Sequence, residues 1–245
     1  MVKTAIRKNN FKVTKRLDIL AKAKKSLELA KEIVAGRRPE PMLCSNTKPL
    51  PNVIPSHDDT IYLFAVDVES FEKNHSIILE LGWIIFDVLN QRFYNRHIVI
   101  KEYQHVRNYK YVPDCKDKFM FGKSEFLSEE EAKRVLQNEI DTLAPNLAMI
   151  CHGLSSELKY FQKMGLRLRH TYEFDTNELH HSLFNDHGKT ISLLNLLNKY
   201  NIESQYLHNA GNDAHYTLLV FLAMCGYSLP TPGGKTDEDP EIRAP

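Results

Sequence analysis

Three consecutive strand-like segments, followed by alternating helix and strand, predict an α/β protein with a mixed β-sheet flanked by helices. The strands are Ile61–Glu69, Ile77–Asp87 and Arg92–Ile100. All three are rich in β-branched and aromatic residues and close enough in sequence to form an antiparallel meander. The alternation then runs through a helix from Ser128 to about Leu143, a strand at Leu147–Cys151, a helix at Ser155–Met164 and a strand at Tyr172–Asp175. Helices at Ser192–Tyr200 and from Asn212 to Cys225 complete it.

Local signals support these assignments. Ser128 followed by Glu131 is a capping-box pattern. Gly165 and Gly226 stand where helices end. Leu193, Leu194, Leu196 and Leu197 are expected to pack inward. Between the third strand and Ser128, residues Tyr103–Phe126 are polar, aromatic and irregular, a long loop of the kind that carries function.

Upstream, Leu17 to Ala35 follows a helical pattern with Leu17, Leu20, Leu27, Ala30 and Val34 on one face, closed by Gly36 and Arg37-Arg38-Pro39. Pro39–Pro55 contains five prolines and reads as an extended linker. The expected organisation is a basic helical arm with its linker (1–57), a folded domain (58–229) and a disordered tail (230–245).

The 245 residues are 42% apolar and 26% charged, as in globular domains. The longest apolar runs, such as Trp83-Ile84-Ile85-Phe86, are too short to span a bilayer. Four cysteines without Cys-x-x-Cys spacing exclude a zinc knuckle or disulfide scaffold and fit a reducing compartment. The net charge of +1 conceals an asymmetry: residues 1–38 hold twelve Lys/Arg and three acids, the remainder twenty and twenty-eight. A cationic arm of this kind points to a phosphate-bearing or anionic surface, or to a solvated helix with a lysine-rich outer face. Its first residues are basic and acid-free but poor in serine. The expected location is intracellular, cytoplasmic or nuclear, with mitochondrial import as the alternative.

The chemistry begins in the first strand. Asp67 and Glu69 are two apart, so both project from the same face of an otherwise apolar strand, where like charges repel unless a cation neutralises them. A divalent ion with oxygen ligands is the simplest neutraliser. Alone, Asp-x-Glu is equally ordinary at a strand end reaching solvent. Two later stretches add acids and a base. Glu157 lies in the first turn of the helix after Cys151-His152-Gly153, where an acid also complements the helix dipole. His208 precedes Asp213 by five residues at the opening of the last helix, where Asn212 or Asp213 is also a natural cap. His215 is a second candidate base, ranked lower because it falls inside that helix.

In this order, Asp-x-Glu, a middle acid and His-x-x-x-x-Asp resemble the DEDDh family of 3′–5′ exonucleases, whose fold is RNase H-like, over about residues 58–228. Leu79-Glu80-Leu81-Gly82-Trp83 is similar to that family's second strand and Ser192-Leu193-Leu194 to its leucine-rich helix. Tyr111-Val112-Pro113-Asp114 and Phe121-Gly122-Lys123-Ser124-Glu125 resemble a fungal RNase H-like branch linked by name to a DEAD-box mRNA-export helicase. The family's middle acid is usually Asp; Glu157 keeps the charge and moves it outward by a methylene.

The resemblance implies two Mg²⁺ or Mn²⁺ ions held by Asp67, Glu69 and Asp213 with Glu157 in support, and His208 as general base. Phe71, His152 and Leu154 are the expected substrate contacts, with core packing as the alternative for Phe71. The substrate it implies is a single-stranded 3′ end, RNA by preference or DNA, and the product a 5′-nucleotide. The Tyr103–Lys123 loop mixes aromatics and cations in a way that suits strand binding or packing across the sheet. The alternative is a nucleic-acid-binding adaptor in RNA metabolism, favoured by Glu157. A thiol enzyme centred on Cys151 has little support, because cysteine in an apolar strand behaves as a small hydrophobe.

Overall fold

The structure, a computed structural model, describes residues 21–35, 61–169, 172–184 and 190–228. The Pro39–Pro55 linker, the tail from 230, Leu17 and Leu20 lie outside the described residues. Among the described residues six strands form one sheet: β1 (Tyr62–Phe71), β2 (Asn74–Asp87), β3 (Arg92–Ile100), β4 (Glu125–Leu127), β5 (Leu147–Cys151) and β6 (Tyr172–Asp175). Their spatial order is β4-β3-β2-β1-β5-β6. β1, β2 and β3 pair antiparallel, while β5 runs parallel to β1, β6 to β5 and β4 to β3. The sheet is therefore mixed, with the predicted meander at its centre, and the fold is RNase H-like.

Residues 21–34 form helix α1. The other helices are α2 (Glu129–Leu143), α3 (Leu154–Met164), α4 (Thr176–Phe184), α5 (Leu193–Lys199) and α6 (Ala210–Met224). The period of two in β1 divides the core. Leu63 and Ala65 face a cluster with α1, α5 and α6, including Leu27, Ile33, Leu196, Leu218 and Phe221. Tyr62, Phe64 and Val66 face α2 and α3 through Leu136, Ile140 and Phe161. With helices on both faces, β1 is buried over most of its length, which explains its near-continuous apolar run. Each fully buried side chain of this kind contributes on the order of 1.5–3 kcal/mol.

Sequence and structure agree closely on the capping box of α2, where Glu131 N–H donates to Ser128 Oγ at 3.3 Å and Ser128 N–H to Glu131 Oε2 at 3.0 Å. They differ in three places. The long loop ends in the short strand β4, which Arg96 clasps to β3 through a two-pronged pair with Glu125 (2.7 and 3.0 Å), reaching Glu139 of α2 at 3.1 Å. Helix α4 escaped the sequence reading because Thr176–Phe184 is polar, with Asn177, His180 and Ser182 among its buried residues. In α5 only Leu196 and Leu197 are buried and Leu194 is 48% exposed, since leucines at adjacent positions cannot all face one side of a helix.

Candidate active site

β1 is central, so its far end delivers Asp67 and Glu69 into a partly enclosed space rather than to open solvent. The register breaks just after Glu69, between Glu69 and Ser70 and again before Phe71. Irregularities of this kind re-aim side chains beside active sites.

The second contribution comes from α6. Asp67 lies opposite Gly82 on β2. A Cβ at Gly82 would stand 2.1 Å from the carbonyl carbon and oxygen of Ala210, the first residue of α6. Only glycine lets this helix start rest directly on the sheet. Asn209 caps it, its Oδ1 accepting Asn212 N–H at 3.0 Å. The cap is therefore neither of the residues that the sequence proposed, and Asp213 is left for another role. Its Oδ2 accepts the N–H of His208 at 3.1 Å, holding His208 in a left-handed backbone conformation (φ 66°) that non-glycine residues adopt sparingly.

Glu157 enters from α3. The start of that helix is already satisfied, because Asp175, at the end of β6, accepts Leu154 N–H at 2.9 Å and Gly153 N–H at 3.2 Å. Glu157 is thus spared the helix-dipole duty and is 7% exposed, with Oε2 lacking a hydrogen-bond partner among the described residues. Asp213 Oδ1 is likewise buried without a partner among the described residues.

Mutual repulsion marks the cluster. Burial pushes Glu157 up to about 8, aided by Glu69. Burial and then Glu69 push Asp213 up to about 7, against the opposing N–H of His208. Asp67 is raised well above the ordinary carboxylate range by burial, then by Glu157, Asp213 and Glu69. His208 is raised in turn, chiefly by Glu69, whose Oε1 lies 3.8 Å from its Nδ1. One ligand atom each from Glu69, His208 and Asp213 lie within 4.8 Å of one another. Two carboxylates and an imidazole form a set that a divalent cation fits, and Glu157 adds a second buried oxygen that has no partner among the described residues.

The remaining candidates make contacts of their own. His152 engages Thr176 Oγ1 (2.7 Å) and the Ile191 carbonyl (2.9 Å) with its two ring nitrogens, fastening the end of β5 to the segments around α4 and α5. Leu154 packs against the α2/α3 core, and Phe71 is half-buried at the end of β1, outside both core clusters. His215 stacks on Phe121 at 3.5 Å, and burial pushes it down to about 4. Cys151 is fully buried and its thiol is raised well above the usual range by burial, which leaves it inert.

Sequence reasoning missed Glu80 and His97. Glu80 Oε2 lies 2.9 Å from His97 Nε2 and accepts the N–H of Ala210 at 3.3 Å, bracing the start of α6 from below. An acid inside the strand segment Leu79–Trp83 was the available signal. Also missed was a chain in which Ser70 Oγ meets His75 Nδ1 (2.9 Å) and the Tyr160 hydroxyl (2.8 Å), tying β1 to α3 one turn beyond Glu157.

Asp67 and Glu69 from β1, Asp213 from α6, Glu157 from α3 and the half-exposed His208 thus form one acidic cluster, part of which could hold a divalent cation. A family model described as DEDDh_C, DNA polymerase III subunit epsilon-like, C-terminal domain, matches residues 62–224, and the chain belongs to this DEDDh family of exonuclease-type hydrolases. It is 29% identical over 71% of its length to "Good for full DBP5 activity protein 2" of Saccharomyces cerevisiae, of which it covers 37%. It is 35% identical over 62% of its length to "Uncharacterized nucleolar protein C2C4.08" of Schizosaccharomyces pombe, covering 64% of that protein. The chain thus spans less than two thirds of either relative. A solved structure of exonuclease I is similar with a TM-score of 0.43 at 10% identity, over 67% of this chain and 40% of that one.

Proposed function

We propose that the chain is a metal-dependent 3′–5′ exonuclease that releases 5′-nucleotides from single-stranded RNA. The observation behind this reading is the mutual repulsion of Asp67, Glu69, Asp213 and Glu157, with oxygens of the last two buried and unpartnered among the described residues, beside the half-exposed His208. Asp67, Glu69 and Asp213 would hold Mg²⁺ or Mn²⁺, with Glu157 in support. Bound divalent cations supply a lowered water pKa and compensation for charge on the scissile phosphate.

The chain's own residues do the rest. Glu69 faces Nδ1 of His208, leaving Nε2 to take the proton of the attacking water. The water oxygen bonds to phosphorus, the bond to the 3′ oxygen breaks, and that oxygen takes up a proton from solvent. RNA is preferred over DNA by analogy with the helicase-linked branch that the sequence resembles. Retention of carboxylates at all four positions supports turnover over an adaptor role, since Glu157 preserves the ligand type. Titration of Mg²⁺ and Mn²⁺ by calorimetry tests the metal. Heat of binding, lost in Asp213→Ala, is expected, whereas no binding of either ion would refute the centre.

A further inference from the structure

The loop between β3 and β4 resolves the aromatic and cationic mixture of Tyr103–Lys123 into two groups. One group is structural. Phe119 packs on His97 with ring centroids 5.0 Å apart, and Phe121 stacks on His215. Lys116 is 1% exposed and donates to the carbonyl of Val106 at 2.5 Å, and Arg107 is paired with Asp114 (2.9 Å) and Asp117 (2.6 Å). The other group faces solvent: Tyr109 is 77% exposed and Tyr111 67%, with Lys110 Nζ 4.8 Å from the centre of the Tyr111 ring.

These tyrosines are exposed but held. The carboxylate of Glu72 accepts the N–H groups of Lys110 (3.0 Å) and Tyr111 (2.8 Å), with Tyr109 N–H at 3.4 Å. Burial acts to raise Glu72, and these backbone donors outweigh it, keeping the acid below the usual range and so charged. Asn108 reinforces the clamp by donating to the Ser70 carbonyl at 3.0 Å and accepting Glu72 N–H at 3.0 Å. Glu72 follows Glu69 by three residues at the end of β1. Farther along the same loop, Asn209 donates to the carbonyls of Cys115 and Lys116 (3.1 Å each), and Asn212 to that of Lys118 (2.9 Å). The loop is therefore fastened to both halves of the carboxylate centre, at the end of β1 and at the start of α6.

We propose that Tyr109 and Tyr111, with Lys110, form a stacking platform for the bases of a single-stranded nucleic acid whose 3′ end occupies the carboxylate centre, an inference that rests on the nuclease reading above. Exposed rings fixed through their backbone lose little entropy on stacking, and the lysine supplies charge complementary to the phosphates. A platform continuous with the centre grips nucleotides upstream of the one being released.

The test is fluorescence anisotropy with a 5′-labelled oligouridylate of about ten nucleotides, using the full chain in EDTA so that the strand is not consumed. Tyr109→Ala with Tyr111→Ala is expected to weaken binding about ten-fold or more, at an unchanged melting temperature. Tryptophan at both positions should restore binding. Binding by the alanine variant equal to wild type, failure of tryptophan to rescue, or no strand binding by wild type would each overturn the platform. The last outcome would assign the tyrosines to a protein partner. A protein that forms no cleavage ladder but binds through the tyrosines loses the enzyme and keeps the platform; a ladder with unchanged alanine binding does the reverse.

Discussion

Gly82 on β2 and Ala210 at the start of α6 meet without room for a side chain: an added Cβ would lie 2.1 Å from the Ala210 backbone. This contact sets how close Asp213, in the first turn of α6, comes to Asp67 and Glu69. Gly82→Ala is therefore expected to cost about 1–3 kcal/mol of stability, as overpacking does. It should also lower metal affinity by displacing the helix start. Denaturation and metal titration on one preparation check this; an alanine variant with wild-type metal affinity would show that the close approach is not needed.

The carboxylate cluster is a source of instability when no metal is present. Asp213 and Glu157 are raised from 3.8 and 4.5 to about 7 and about 8, so the folded chain holds more protons than the unfolded one across that window. Stability is greatest below the unfolded values and falls as pH rises through the folded ones, by a few kcal/mol shared across the cluster. The melting temperature in EDTA should decline between pH 5 and 8 on the order of several degrees. Mg²⁺ should restore more at pH 8 than at pH 5. A metal-free melting temperature that rises over this range would refute the argument.

Removing one charge should then stabilise the apo protein. Asp213→Asn relieves repulsion on Asp67 and is expected to raise the melting temperature in EDTA at pH 8 while weakening metal binding. A lower apo melting temperature would mean that the bond from His208 N–H to Asp213 outweighs the repulsion.

As the proposed base, His208 works only when neutral, and in the metal-free protein Glu69 raises it from the ordinary 6.5. Turnover at saturating metal should rise with pH as the imidazole loses its proton, at lower pH than in the metal-free protein because bound cations offset the charge of Glu69. His208→Ala should lower kcat by about 10²–10⁴-fold and flatten this profile. A variant with the same rising limb would move the general base to another group.

Much of this arrangement was readable from residue order, and the omissions have physical causes. The period of two in β1 places Asp67 and Glu69 on one face, and the mixed sheet follows from the strand and helix signals. Glu80 was hidden because a buried acid inside an apolar strand leaves no periodic trace; its partner His97 is on another strand and its other contact is the start of α6. The division of the long loop was equally hidden. Tyr109 and Phe119 are similar in sequence, but one is displayed by the backbone grip of Glu72 and the other is driven inward against His97 and Gly211. Leu194 was expected inside because composition alone does not set the face of a short helix.

The most direct test of the account is degradation of a 5′-labelled single-stranded RNA, with a matched DNA, in Mg²⁺ or Mn²⁺ beside Asp213→Ala. The account predicts a ladder shortening from the 3′ end, faster on RNA and absent in the variant. No shortening in either metal, with the strand still bound, would contradict it and leave a nucleic-acid-binding protein built on a nuclease fold.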